Sequence, residues 1–214
     1  MRTCSVENCN ETYYAKGYCK KHCNQLYNHG KIIGRSRNDQ NEITIENNIL
    51  KIKLYNNKNI EIAEGLCDPR YETDIRKCKW CLTTKGYVQG TYYDENGKYT
   101  GLLHQLIIQL SDREIPDGYK IDHEDGNKLN CLDDNLRICT SSQNAQNRGK
   151  QINNNSGYKG VCWHKTNKKW WAQIVVNRIH IHLGFFDIKE DAARAYNTAA
   201  IKYHGEFAQL NIIP

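Results

Sequence analysis

No run in this 214-residue sequence is apolar for long enough to span a membrane, which takes about 20 consecutive apolar residues. The opening residues, Met1-Arg2-Thr3-Cys4, contain no apolar signal segment. No internal repeat is present, which excludes solenoid and propeller arrays. Proline (3) and methionine (1) are scarce beside abundant Asn, Lys, Ile and Tyr, a bias that carries no fold information. The ten cysteines could build a secreted disulfide scaffold. Without a signal segment, and with the first cysteines clustered beside a histidine and the rest scattered singly, they are expected to be reduced thiols of an intracellular protein.

What is present is charge of one sign in one place. The net charge is +6, and residues 150–214 hold 9 Lys/Arg against 4 Asp/Glu, so +5 of it lies in the last third of the chain. A basic excess among aromatics favours a polyanionic partner. The length suits two or three small domains. Three sections separate: 1–40, 41–150 and 156–214. Between the last two, Gln151 to Gly157 reads as a linker because Asn, Ser and Gly favour turns. The expected fold class is α+β and multi-domain. Leu50, Ile52 and Leu54 alternate with Lys51, Lys53 and Tyr55, Asn56 to Asn59 turn, and Ile60 and Ile62 resume the alternation, as in a hairpin with one buried face. Gly86-Tyr87-Val88 and Thr91-Tyr92-Tyr93, with a turn at Glu95-Asn96-Gly97, predict a second hairpin. Leu102 to Leu110 reads as a short apolar helix carrying His104, a structural or phosphate-contacting residue.

Section 1–40 has too little apolar content for a core. Cys4, Cys9, Cys19 and His22 are spaced as two close ligand pairs, each able to clip one side of a tetrahedral Zn²⁺. A structural zinc would supply folding energy of order 10 kcal/mol. Cys23 could take the place of His22. The neighbouring Lys16, Lys20, Lys21 and Lys31 would let this knuckle touch phosphate. Cys67, Cys78, Cys81, Cys131 and Cys139 read as small core residues.

The most informative segment runs from Tyr119 through Asp122-His123-Glu124-Asp125-Gly126-Asn127, then Asn130 to Arg137, to Asn144. Its pattern predicts strand, loop, strand to Cys139, and a helix capped by Ser141 or Ser142. Such a unit could bring the oxygens of Asp122 and Asn144 onto a hard divalent cation, with the imidazole of His123 nearby. Phosphodiester hydrolysis needs those parts: a general base for water, and a metal to neutralise phosphate charge. Asn135 can tie the loop to the strands. Glu124 and Asp125 read as solvated loop carboxylates.

Asp122-His123 … Asn135 … Asn144, with the Asp-Gly-Asn loop and the Asn-Leu-Arg strand, resembles the H-N-H ββα-metal motif of phage and intron homing endonucleases. Lys79-Trp80, Gly86-Tyr87 and Leu103-His104 add to a resemblance that spans roughly residues 43–148. It implies His123 as base, Asp122 and Asn144 as ligands of Mg²⁺ or Mn²⁺, and Asn135 as the structural middle residue.

From Ser156 the pattern predicts a three-stranded antiparallel sheet packed on one helix. Val161, Trp170, Ala172, Ile174 and Val176 face one way, and Ala192, Ala193, Tyr196, Ala199 and Ala200 recur at helical spacing over Lys189 to His204. The other sheet face is expected to show Lys159, His164, Trp171, Gln173, His180 and His182, a surface suited to a DNA groove. Tyr158-Lys159-Gly160-Val161, Trp171-Ala172-Gln173-Ile174, Leu183-Gly184-Phe185-Phe186, Ala192 to Tyr196 and the ending Gly205 to Asn211 resemble the plant APETALA2/ethylene-response DNA-binding domain. Family members carry arginines and tryptophans on the sheet where this chain has Cys162, His164, His180 and His182, so no target sequence carries over. Tyr196 falls at a DNA-contacting position of that family. The combined reading is a mobile-element endonuclease acting on double-stranded DNA, monomeric by default with a dimer open. A DNA-binding regulator with a degenerate nuclease core is the rival, and an RNA-binding zinc protein fits the knuckle alone.

Overall fold

The structure, a computed structural model, describes residues 2–6, 9, 11–35, 39–94, 97–151 and 153–214. It is α+β, built from several small antiparallel sheets. No described helix is long and apolar enough to cross a membrane.

Helix α1 (Lys20–His29) follows the first three cysteines and ends on Gly30, whose φ of 68° lets its N–H reach the Leu26 carbonyl. Strands β1 (Ile43–Glu46), β2 (Ile49–Tyr55) and β3 (Glu61–Cys67) then form one sheet. Leu50, Ile52 and Leu54 are fully buried, as their alternation predicts. Ile60 and Ile62 do not continue that face; they are 57% and 47% exposed. Leu54 pairs with Ala63 but Tyr55 pairs with Glu61, so Ile62 is an extra residue that shifts the register, and Gly65 and Cys67 take the buried positions.

After a 3₁₀ turn at Pro69–Tyr71 and helix α2 (Glu72–Arg76), strands β4 (Lys79–Leu82), β5 (Val88–Asp94) and β6 (Gly97–Leu102) make a second sheet. The β5–β6 hairpin is present, while its expected turn residues Glu95 and Asn96 lie outside the described residues. Trp80 is buried over Gly90, where any Cβ would sit 2.5 Å from the ring. Because Trp80 points inward, its neighbour Cys81 points out and is exposed; the other four cysteines expected in the core are buried. Helix α3 (Leu103–Leu110) packs Leu103, Ile107 and Ile108 into this core.

Strands β7 (Lys120–His123) and β8 (Leu136–Cys139) and helix α4 (Ser141–Asn147) form the ββα unit. The cap is Thr140, not Ser141 or Ser142. Its extended backbone (ψ 163°) lets its hydroxyl accept from Gln143 N while the Gln143 side chain reaches back, a capping box. The C-terminal unit is the expected sheet of β9 (Val161–His164), β10 (Lys169–Val176) and β11 (Ile179–Phe186) under helix α5 (Lys189–His204). Gly160, at φ 74°, lies so close to Tyr196 and the Gln173 carbonyl that a side chain would collide with both.

Candidate active site

The loop between β7 and β8 is held at both ends and in the middle. Leu66 of β3 exchanges backbone hydrogen bonds with it: Leu66 N–H donates to the Leu129 carbonyl and Cys131 N–H to the Leu66 carbonyl, each at 2.8 Å. Asp133 accepts from Tyr71 Oη (2.8 Å) and Arg113 Nη2 (3.0 Å) and is paired with Arg70. Asn135 fixes the loop's shape. Its Nδ2 donates to Asp125 Oδ1 (3.0 Å) and the Asn130 carbonyl (2.7 Å), and its Oδ1 accepts from Asp125 N–H (3.0 Å). Asp125 is therefore an exposed loop carboxylate, as expected, that also organises the loop through its hydrogen bonds. Burial pushes its pKa up, but donation from Asn130, Asn127 and Asn135 and the nearby His123 outweigh this and hold it low.

Asp122 and His123 end β7, and both are buried. Asp122 Oδ2 accepts from Arg137 Nε (3.0 Å) and Asn147 Nδ2 (3.0 Å). Arg137 Nη2 completes the ion pair at 3.0 Å without an aligned hydrogen bond. Among the described residues no protein group donates to Asp122 Oδ1. The Asn147 amide also donates to the carbonyls of His123 (2.9 Å) and Glu124 (3.2 Å), stitching α4 to the strand end. Asn144 lies one helical turn before Asn147 on the same face of α4. Its side-chain amide makes no hydrogen bond among the described residues, and none joins it to Asp122.

The His123 ring sits in a buried pocket of its own making. His104 of α3 meets it edge-on, with centroids 5.1 Å apart, and Tyr87 lies 6.1 Å away. Cys131 Sγ is 3.8 Å from His123 Nε2. His104, His123 and Cys131 offer ligand atoms within 4.8 Å of one another. Burial drives the His104 imidazole down to about 4, with help from His123. His123 is lowered chiefly by burial, with Lys128 adding to it and Asp125 and Asp122 opposing. Both rings are thus unprotonated at neutral pH, and a neutral imidazole can accept a proton.

At the N-terminus Cys4, Cys9, Cys19 and His22 converge. Cys4 Sγ and Cys19 Sγ lie 3.2 and 3.4 Å from His22 Nδ1, and Cys9 Sγ is 4.0 Å from Cys19 Sγ. A tetrahedral zinc, with bonds of about 2.3 Å to sulfur and about 2.0–2.1 Å to nitrogen, requires edges of roughly 3.5–3.8 Å. The cluster takes His22 and leaves Cys23 out. Burial raises the Cys4 thiol, but hydrogen bonds from Val6, Cys19 and His22 bring it down to about 6, into thiolate range. Cys78 and Cys81 join no such group among the described residues. Lys21 is paired with Asp39 at 2.7 Å.

On the C-terminal sheet, His164, Trp171, His182 and Phe185 form one ring cluster on the outer face, with centroids 4.8–6.4 Å apart. Trp171 Nε1 donates to His182 Nδ1, and His180 Nδ1 lies 3.3 Å from Gln173 Oε1. Tyr196 lies on the packed face of α5, as its helical spacing predicts, and is 2% exposed against Ile174 rather than presented at an open DNA-contacting position. One residue expected on the outer sheet face is elsewhere. Lys159 turns to the ββα unit and donates to the Gln146 carbonyl; burial brings its ammonium down to about 8.

Arg137, Asn147 and the His104–His123 contact escape the sequence reading. Asn147 had a signal in its spacing of three from Asn144; the other two join distant segments.

The HNH endonuclease family pattern matches residues 102–146. Over 58 residues, 26% of the chain, it is 41% identical to an ethylene-responsive transcription factor of Arabidopsis thaliana, covering 14% of that protein. It is 34% identical over 106 residues to Protein 3.8 of Escherichia phage T7, spanning 50% of this chain and 87% of that one. It is 36% identical over 140 residues to a protein of Acanthamoeba polyphaga mimivirus named as an uncharacterized HNH endonuclease, spanning 65% of this chain and 70% of the relative. With the ββα unit and its Asp-His pair inside the matched stretch, the chain belongs to the HNH endonuclease family and is a nuclease, for which DNA is the implied substrate.

Proposed function

We propose that this chain is a metal-dependent homing-type endonuclease that hydrolyses one phosphodiester bond of double-stranded DNA per site, at places selected by its C-terminal unit. The observation that carries the chemistry is the Asp122 carboxylate: Oδ2 is taken by Arg137 and Asn147, while Oδ1 accepts no hydrogen bond among the described residues, and the next residue along the strand, His123, is a buried imidazole with a lowered pKa. A carboxylate oxygen and the unbonded amide oxygen of Asn144 are hard donors that fit Mg²⁺ or Mn²⁺. When bound, such an ion supplies charge neutralisation at the phosphate. His123 takes a proton from the attacking water. Asn135 holds the loop that carries Asp125 and presents the strand end. Asn147 fixes the backbone on either side of His123.

The N-terminal Cys4, Cys9, Cys19 and His22 cluster holds one structural Zn²⁺ in this reading, supported by its near-tetrahedral spacing. The C-terminal unit is an APETALA2-type reader, supported by the short plant similarity and by the outward ring cluster with Gln173 and His180. A single ββα site cuts one strand, so the monomer nicks.

The test is incubation of the full chain with supercoiled plasmid and Mg²⁺. His123→Ala should lower nicking by roughly 10²–10⁴-fold and leave DNA affinity intact. A variant that nicks like the wild type removes His123 from the mechanism. A wild type that binds DNA and never nicks favours a non-catalytic regulator.

A further inference from the structure

Arg137 stands opposite Asp122 in the β7–β8 ladder, so the two side chains share a face and meet across the strands. Its guanidinium has four engagements, one of them a 3.9 Å ion pair of Nη1 with Glu124 Oε2. Nε and Nη2 lie 3.0 Å from Asp122 Oδ2. Nη1 donates to the Glu206 carbonyl at 2.8 Å. The plane sits 4.0 Å over the ring of Phe207. Glu206 and Phe207 belong to the 3₁₀ turn that ends α5, and α4 packs against the same turn. Phe207 is itself buried. One side chain thus spans the Asp122 carboxylate and the far end of the C-terminal unit.

A carboxylate on a single bond can turn either oxygen toward a ligand. Here Arg137 and Asn147 converge on Oδ2, which fixes Oδ1 as the open oxygen. Arg137 can hold that position only while its own plane is fixed. Guanidinium geometry allows this when the remaining donors and the π-face are occupied; beside the longer contact to Glu124, the hydrogen-bonded carbonyl and the ring both come from the C-terminal unit.

We propose that Arg137 is a positioning residue through which docking of the C-terminal unit sets Asp122 in its metal-binding orientation. This rests on the reading of Asp122 as a metal ligand. DNA recognition and chemistry are then linked: a C-terminal unit displaced from α4 loosens Arg137, and Asp122 loses its fixed oxygen.

The experiment uses the full chain as wild type, Arg137→Lys and Phe207→Leu. Lysine keeps the charge but cannot serve the carboxylate, the Glu206 carbonyl and the ring together. Leucine keeps apolar volume but gives no ring face. Plasmid nicking is titrated with Mn²⁺, Mn²⁺ uptake is read independently from the electron paramagnetic resonance of the free ion, and DNA affinity is measured without Mn²⁺. Loss of a residue that orients a metal ligand costs about 10–100-fold in metal affinity, so both variants should need at least roughly ten-fold more Mn²⁺ with DNA affinity and circular dichroism unchanged. If wild type nicks and binds Mn²⁺ and Phe207→Leu, or a folded Arg137→Lys, matches its Mn²⁺ dependence, the coupling is wrong while the nuclease reading stands. If wild type neither nicks nor takes up Mn²⁺, the metal-ligand reading falls and the coupling falls with it.

Discussion

His104 offers a quantitative check on the architecture around His123. The imidazole is 7% exposed, enclosed by the α3 core and by His123, and burial lowers its pKa from 6.5 to about 4. A base whose folded pKa lies below its unfolded value binds protons preferentially when unfolded. Its contribution to stability is therefore fully present above pH 6.5 and is lost as pH falls toward about 4. At 1.36 kcal/mol per pH unit the loss should reach about 2 kcal/mol at pH 5 and about 3 kcal/mol near pH 4. Other groups titrate in the same window, so the informative quantity is a difference. Urea unfolding of wild type and His104→Phe, run at pH 7.5, 6 and 5, isolates the His104 share. Phenylalanine fills the site and has no proton to take up. It should be destabilising or neutral at pH 7.5 and should gain about 2 kcal/mol relative to wild type by pH 5. A stability difference that stays constant over that range would show that His104 is solvated, and the neutral pocket around His123 would have to be abandoned with it.

Zinc content is a direct measurement: protein purified without chelator should carry one zinc per chain, lost in Cys4→Ala and Cys19→Ala while the nuclease core stays folded, and Cys23→Ala should retain it. Finding no zinc would dispose of the knuckle. If the C-terminal unit reads DNA as proposed, Gln173→Ala and His180→Ala should flatten sequence preference more than they weaken overall binding, because base-edge contacts specify while phosphate contacts hold. Equal loss on all sequences would assign those two residues to the backbone instead. Tyr196→Phe should leave DNA binding unchanged, since the ring is buried in the helix–sheet core; a specific loss of affinity would argue that α5 opens on DNA.

Much of this molecule was legible before folding. The alternation of Leu50, Ile52 and Leu54, the apolar face of α3, and the small residues Ala192, Ala193, Ala199 and Ala200 on α5 are local periodicities, and each is buried where its pattern requires. The order Asp122-His123, Asn135, Asn144 marked the ββα unit for the same reason: its strands, loop and helix are contiguous, so spacing along the chain is spacing in the unit. The errors have one form. Ile60 and Ile62 obey the alternation but lie at or beyond a bulge, Cys81 obeys it from the wrong side of Trp80, and Lys159 sits in the turn before β9 and reaches Gln146. A period says which residues share a face; it does not say where a register slips or what that face meets.

The partners across long separations were decided by the tertiary structure alone. His104 reaches His123 because α3 packs under the loop that Leu66 pins. Arg137 reaches Glu206 and Phe207, 69 residues on in the case of Glu206, because the 3₁₀ turn after α5 lands on α4. The sequence by itself placed Asp122-His123, Asn135 and Asn144 in one ββα unit, since the kinds of side chain and their local order suffice for it. Which oxygen of Asp122 is left open, and that Arg137 touches the C-terminal unit as well, follow only from the packing of units that local pattern cannot join.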